Sequence, residues 1–168
     1  TPLNSRLPYA VVKNIGECFC RSYQKEFGLD YTIFRFFNTY GPRQSDDFVV
    51  SKFLYAACQN SDITIYGDGQ QSRTFCYIDD NVDFTLRVLI DELYINDVVN
   101  VGNDKLTTIE ELAKTIICST GSKSRIIKCP PLKEGDMTKR QPDITKMKSI
   151  LNRPLVDLEQ GINKMLFK

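Results

Sequence analysis

Tyr9 and Lys13 are the residues of this sequence whose types and spacing best suit acid–base chemistry. Side chains four apart on a helix lie on one face, one above the other. A phenol titrates at about pH 10 and is a poor base at neutral pH. A neighbouring ammonium favours the phenolate, each unit of lowering being worth about 1.4 kcal/mol. A Tyr–Lys pair so placed is a sensible proton acceptor for a sugar or alcohol hydroxyl. The spacing alone is common on amphipathic helices, so its meaning depends on what surrounds it.

The elements that must position this pair follow from hydrophobic periodicity. Val11, Val12, Ile15, Phe19, Tyr23 and Phe27 recur at helical spacings and end at Gly28, so residues 10–27 are expected to form one helix. Tyr31–Phe37 is β-branched and aromatic, and short enough for a buried strand. A long helix feeding a short apolar strand is an α/β signature, with the strand in a parallel sheet. The polar run Asn38–Arg43 then falls at the strand's carboxyl end, where open α/β sheets bind ligands. Residues 48–60 read as a helix, Ile63–Tyr66 as a strand closed by the Gly67-Asp68-Gly69 turn, and Ser72–Ile78 as a half-buried strand. Asp79 or Asp80 is expected to cap a helix running to about Tyr94, followed by a strand at Asp97–Val101. Thr107 and Glu110 suit a capping box for a helix that stops at Gly121. Arg125–Lys128 reads as a strand and Leu132–Pro142 as a charged loop. Two short helices, near Ile144–Leu151 and Asp157–Phe167, close the chain.

The 168 residues suit one domain or part of a larger one, and 42% hydrophobic with 26% charged residues excludes a disordered chain. A net charge of +1 gives no electrostatic case for nucleic acid or an anionic membrane surface. No apolar run approaches the roughly 20 residues of a bilayer span. Thr1–Pro8 reads as polar and proline-bounded rather than as a signal peptide. The absence of histidine removes Ser-His-Asp and Cys-His hydrolase schemes from this stretch. Cys18, Cys20, Cys58, Cys76, Cys118 and Cys129 include no C-x-x-C pair, so no metal site is expected. Their apolar neighbours suggest buried, reduced thiols and a cytoplasmic compartment.

Four segments then fall in register with one family: Pro8-Tyr9-x-x-x-Lys13, Arg35-Phe36-Phe37-Asn38-Thr39-Tyr40-Gly41-Pro42-Arg43, Gly67-Asp68-Gly69-Gln70-Gln71-Ser72-Arg73 and Arg140-Gln141-Pro142-Asp143. In this order, and over nearly the whole chain, they resemble the C-terminal half of extended short-chain dehydrogenase/reductases that act on nucleotide sugars. These are NAD-dependent epimerases, dehydratases and decarboxylases. The resemblance implies an α/β fold: the C-terminal part of a Rossmann-like parallel sheet plus a small α/β substrate-binding lobe, with the N-terminal dinucleotide-binding half absent. Residues 1–45 would end the Rossmann-like domain and 46–168 would form mainly the nucleotide-sugar lobe, with segments interleaving. The family's glycine-rich turn, which delivers a pyrophosphate to a helix N-terminus, has no counterpart here. Gly67 and Gly69 follow a strand, but only as G-x-G with no helix after them.

The resemblance also implies roles. Tyr9 would take the proton of the sugar 4-hydroxyl as hydride passes to NAD, Lys13 would hold the nicotinamide ribose, and Arg43 would be a further cofactor contact. Asn38 would bond a sugar hydroxyl or a diphosphate oxygen. Arg73 and Arg140 suit the diphosphate, because guanidinium forks bind such oxygens in bidentate fashion. Tyr66 and Gln71 would meet base or ribose, Val50 and Lys52 open a helix whose family counterpart touches the nucleotide, and Asp136 would orient an arginine or bind ribose. Most also have an ordinary reading: a strand-end cap for Asn38, a loop ion pair for Arg43, core packing for Val50, solvated charge for Lys52, Arg73 and Arg140, and a loop carboxylate for Asp136. Lys133 stands where several of the epimerases place an arginine. The implied partners are a UDP- or dTDP-linked sugar and a second copy pairing through the Tyr–Lys helix, with no nucleic acid and no membrane. The implied activity is epimerisation, dehydration or decarboxylation through transient oxidation at the sugar C4. The competing readings are a non-catalytic nucleotide-sugar-binding or assembly module from a truncated or split gene, and a structural protein with no ligand.

Overall fold

The structure is a computed structural model that describes residues 8–131 and 141–166. Helix α1 (Pro8–Phe27) ends at Gly28, whose φ of +68° suits glycine, and the chain turns back into β1 (Thr32–Phe36). There follow β2 (Thr39–Tyr40), α2 (Val49–Cys58), β3 (Ile63–Tyr66), β4 (Ser72–Thr74), β5 (Cys76–Tyr77) and α3 (Ile78–Ile90). The remainder is β6 (Asp97–Val101), β7 (Leu106–Thr108), α4 (Ile109–Thr120), β8 (Ile126–Cys129), α5 (Thr145–Leu151) and α6 (Leu158–Leu166). Strands β1 and β6, β2 and β5, and β3 and β8 pair in parallel, while β4 and β7 are antiparallel.

In the β1–β6 ladder Thr32 lies beside Asp97 and Phe36 beside Val101. Adjacent strand residues point to opposite faces. Phe34 meets Phe84 of α3 edge-on with centroids 6.2 Å apart, and Arg35 holds Glu17 of α1 through two 2.7 Å hydrogen bonds. Helices α1 and α3 therefore cover opposite faces of this ladder, as a parallel pair requires. One apolar cluster, with Phe84, Val99 and Met147 at its centre, fills the space between β1–β6, α3 and α5. A second, around Phe53, Ile63, Leu112 and Ile162, lies beneath α2, α4, α6 and β3.

Close approach decides one position outright. A Cβ on Gly161 of α6 would lie 2.0 Å from Tyr40 Oη. Gly161→Ala is expected to cost about 1–3 kcal/mol through overpacking, measured as a lower urea midpoint. Tyr40→Phe in the same chain should recover part of that loss in a double-mutant cycle, because it removes the clashing oxygen. Additive losses would mean that α6 shifts as a body instead.

Several boundaries differ from the sequence expectation. Residues 72–78 are not one strand: the ladder breaks at Phe75, β4 pairing with β7 and β5 with β2. Phe75 is buried edge-on against Tyr40, with centroids 6.5 Å apart. Asp79 and Asp80 do not cap α3; Tyr77 holds the N-cap position without a side-chain bond, and α3 ends at Ile90 rather than near Tyr94. The capping box lies one residue later than expected: Thr108 Oγ1 accepts the Glu111 N–H at 3.1 Å, and the Glu111 carboxylate accepts the Thr108 N–H at 2.7 Å. Glu110 instead meets Lys114 and Lys128, whose ammonium groups pull its carboxyl down to about 2. The loop after β1 contains the short strand β2.

The cysteine expectation is corrected too. Only Cys76 is buried, and burial pushes its thiol up to about 12; Cys18, Cys58 and Cys118 are exposed. Apolar neighbours in sequence do not share a helix face, so they say little about which way a cysteine points. Among the described residues no group of His, Cys, Asp and Glu could hold a metal ion. No helix among them is long and apolar enough to cross a membrane.

Candidate functional site

Helix α1 and strand β1 are joined by a short reversal, so the N-terminus of α1 and the carboxyl end of β1 point the same way. The Glu17–Arg35 pair fixes their register. Tyr9 precedes Glu17 by two turns, about 12 Å along the axis. It stands at the end of the unit where the chain leaves β1. Lys13 Nζ lies 5.2 Å from the centroid of the Tyr9 ring, within cation–π range. Tyr9 is 75% exposed, so the phenol is open to a ligand.

Asn38 leaves β1 at a φ of +38°, and its Nδ2 donates to the Thr74 carbonyl at 2.9 Å. Its own carbonyl accepts the Cys76 N–H at 3.2 Å. Asn38 is thus stitched to the strand that carries Arg73, and its side-chain donor is engaged in doing so. Buried Asn81 extends the stitching: its Nδ2 donates to Thr39 Oγ1 at 2.6 Å, and its Oδ1 accepts Cys76 Sγ at 2.9 Å. Thr74 Oγ1, between these contacts, is buried and has no hydrogen-bond partner among the described residues. Such groups are uncommon in folded proteins.

Tyr66 ends β3 and is 47% exposed. The chain then turns through Gly67 and Gly69, at φ of +82° and +78°, with Asp68 Oδ1 accepting the Gln70 N–H at 2.9 Å. Gln71 follows, half-buried, its carbonyl accepting the Ile109 N–H at 3.0 Å. Half-buried Arg73 sits on β4 opposite Thr107. One turn and one strand therefore bring Tyr66, Gln71 and Arg73 into sequence along the rim that Asn38 joins. Arg43 is exposed at a φ of +68° in the loop after β2, and Lys52 is exposed on α2. Val50 takes its ordinary reading: its side chain is 2% exposed and packs within the second apolar cluster. Asp136 and Arg140 lie outside the described residues.

Helix α1 presents a further surface. Tyr9, Val12, Ile15, Phe19, Tyr23 and Phe27 are each at least 48% exposed. At helical spacing they share an arc of about 120°. Val82, Leu86, Leu89 and Ile90 line the outward side of α3 in the same way. Sequence reasoning missed Asp80, Asn81 and Arg153, polar residues that knit this region together. Asp80 was visible only as a helix-cap candidate, and nothing in the sequence around Arg153 marks it.

A parallel α/β unit with a Tyr–Lys pair on the helix before a strand, and polar loops at that strand's carboxyl end, is Rossmann-like in the manner of the sugar-nucleotide epimerases. A model of the NAD dependent epimerase/dehydratase family matches residues 1–102, and the chain belongs to that family. It is 36% identical, over 96% of its length, to a UDP-N-acetyl-alpha-D-glucosaminuronate decarboxylase from Bacillus cytotoxicus, of which it covers 52%. Among solved structures it resembles UDP-glucose 4-epimerase from Thermotoga maritima with UDP-glucose, with a TM-score of 0.87 and 34% identity over 95% of this chain and 52% of that one. It also resembles UDP-glucuronic acid 4-epimerase from Bacillus cereus in complex with UDP-glucuronic acid and NAD, with a TM-score of 0.84 and 30% identity over 94% of this chain and 51% of that one. The chain thus spans about half the length of these relatives.

Proposed function

We propose that these residues form the substrate and nicotinamide side of an enzyme that epimerises, dehydrates or decarboxylates a UDP- or dTDP-linked sugar after transient oxidation at its C4. The observation that carries this reading is the open Tyr9–Lys13 pair, set at the same end of the unit as Asn38, which is itself tied to the Arg73 strand. Tyr9 takes the 4-hydroxyl proton and later returns it. Lys13 supplies positive charge beside that oxygen and holds the nicotinamide ribose, with Arg43 as a further cofactor contact. Arg73 and Arg140 neutralise the diphosphate, and Asn38, Tyr66, Gln71, Lys52 and Asp136 surround the nucleotide and sugar. NAD, when bound, supplies the hydride acceptor and donor.

An outward-facing phenol and ammonium suit the nicotinamide ribose. The pyrophosphate is a different matter, because no glycine-rich turn occurs in this sequence. On this reading a dinucleotide-binding half carries that load, and the 168 residues are the second half. The relatives' length and the uncovered apolar arc of α1 support it. Residues 1–45 then close the Rossmann-like domain and 46–168 form mainly the nucleotide-sugar lobe, in a cytoplasmic enzyme that pairs as a homodimer.

Calorimetric titration with UDP, dTDP and NAD tests the reading. The expected result is binding of a nucleoside diphosphate with weak or no binding of NAD. Tight, stoichiometric NAD binding to these 168 residues would falsify the second-half assignment. An amide NMR spectrum unmoved by UDP and dTDP would remove the nucleotide-sugar function altogether. The missing glycine-rich turn also favours a second reading, a nucleotide-sugar-binding or assembly module. UDP binding without turnover in the polypeptide that carries a dinucleotide-binding unit would establish that module. Arg73→Ala is expected to weaken UDP binding about 10–100-fold, since a hydrogen bond to a charged group is worth about 1.5–3 kcal/mol. Unchanged affinity would move the diphosphate elsewhere.

A further inference from the structure

After α5 the chain crosses from one apolar cluster to the other along residues 152–157, from Leu151 in the first to Ile162 in the second. This strap is fastened to the start of α3. Asp80 is fully buried; one carboxylate oxygen accepts Arg153 Nη1 at 2.6 Å and the other accepts the Val156 N–H at 2.8 Å. The same guanidinium reaches Asp83 Oδ2 through Nε at 3.2 Å and Nη2 at 2.9 Å. Arg87 donates to Asp83 Oδ1 and to the Ile150 carbonyl. Lys164 of α6 donates to Asp79 at 2.8 Å and stands 5.1 Å from the centroid of the Tyr77 ring. A buried carboxylate is tolerated where it is paired and hydrogen-bonded on both oxygens, and Asp80 is.

The same turn of α3 anchors the candidate site. Strand β5 runs directly into it, Asn81 holds Thr39 and Cys76, and Asn38 holds Thr74. The path from strap to site is Arg153, Asp80, the Asn81 turn, then the β2–β5 pair that flanks Asn38 and follows Arg73. We propose that the Arg153–Asp80 clasp is a positioning element: by pinning the strap to α3 it sets how Asn38 and the Arg73 strand stand toward each other. Arg153 and Asp80 bond to each other, to Asp83 and to the backbone of residues 154 and 156, and so act on the site through other residues. A guanidinium fork fixes orientation as well as distance, which apolar packing across the same gap does not. The ligand's identity rests on the proposed function; the mechanical coupling does not.

Hydrogen exchange on the 168-residue chain separates this from a purely local or purely global role. In Arg153→Ala, exchange is expected to quicken about tenfold or more at residues 38–40 and 72–77 as well as at 152–157, with α2 and α4 protected as in the native chain. Arg153→Lys keeps the charge but not the fork and should restore part of the protection. Arg125→Ala, which breaks an exposed pair with Asp62, should match the native chain. Quickening confined to 152–157 would make the clasp a local tie, and quickening spread evenly over the chain would make it general stability; either result overturns the proposal. If Arg153→Ala does not fold, Arg153→Lys and Lys164→Met are read by the same criterion. A companion titration compares UDP-glucose with UDP: Arg153→Ala should weaken both, and UDP-glucose the more, because Asn38 and the Arg73 strand both depend on the clasp. A native chain that binds neither would sink the proposed function, and the exchange pattern would still decide the clasp.

Discussion

Tyr9→Phe is expected to lower turnover of a UDP-sugar about 10²–10⁴-fold, the usual worth of a positioned acid–base group, in the enzyme that carries this chain. The ring and its cation–π contact with Lys13 survive the change, so only the proton carrier is lost. UDP affinity should not move, because the residues proposed to hold the diphosphate, Arg73 and Arg140, are not part of α1. Steady-state kcat and KM with UDP-glucose and UDP-glucuronate, set beside calorimetric UDP binding, give both numbers. The loss should fall on kcat, since in the proposed reaction the proton moves only as the 4-hydroxyl is oxidised. Turnover at the native rate would take Tyr9 out of the chemistry and leave it an exposed helix residue.

Phe84→Ala is expected to destabilise the fold by about 3–5 kcal/mol, the range for an aromatic truncated in a core. Phe84 is fully buried and meets Phe34 edge-on, so its removal opens a hole between α3 and β1. Small domains hold only about 5–15 kcal/mol in total, so the loss is a large share. Leu89, on the same helix but 71% exposed, supplies the contrast. Its replacement by Ala should stay within about 0.5 kcal/mol. Equal urea midpoints for the two variants would mean that α3 buries the other face.

Much of the fold was legible because period and punctuation agreed. The α1 and β1 segments switch from helical to strand spacing across a glycine, and the helix before Gly121 ends where its αL residue allows. What escaped was set by partners far along the chain. No glycine or proline interrupts residues 72–78, yet β4 and β5 belong to different pairs, so only tertiary structure reveals the break at Phe75. Thr107 and Thr108 each have a glutamate three residues on, which makes the capping box degenerate by one position. Asp79 and Asp80 satisfy every local rule for a cap, and the partner that claims Asp80 lies at residue 153. Of the candidate site, helical geometry put Tyr9 and Lys13 on one face, and the flanking motifs gave that pair its meaning. The bond from Asn38 to Thr74 was not, because nothing near either residue records the other.

The uncovered seam on α1 bears on how long the polypeptide lasts in a cell. Six large apolar side chains in one stripe are the kind of surface that chaperones retain and proteases follow. A copy with that stripe uncovered is expected to be cleared faster than one in which it is covered. Supplying a surface that covers α1 is therefore expected to raise the steady-state level of this chain, which immunoblotting of cells with and without that surface measures.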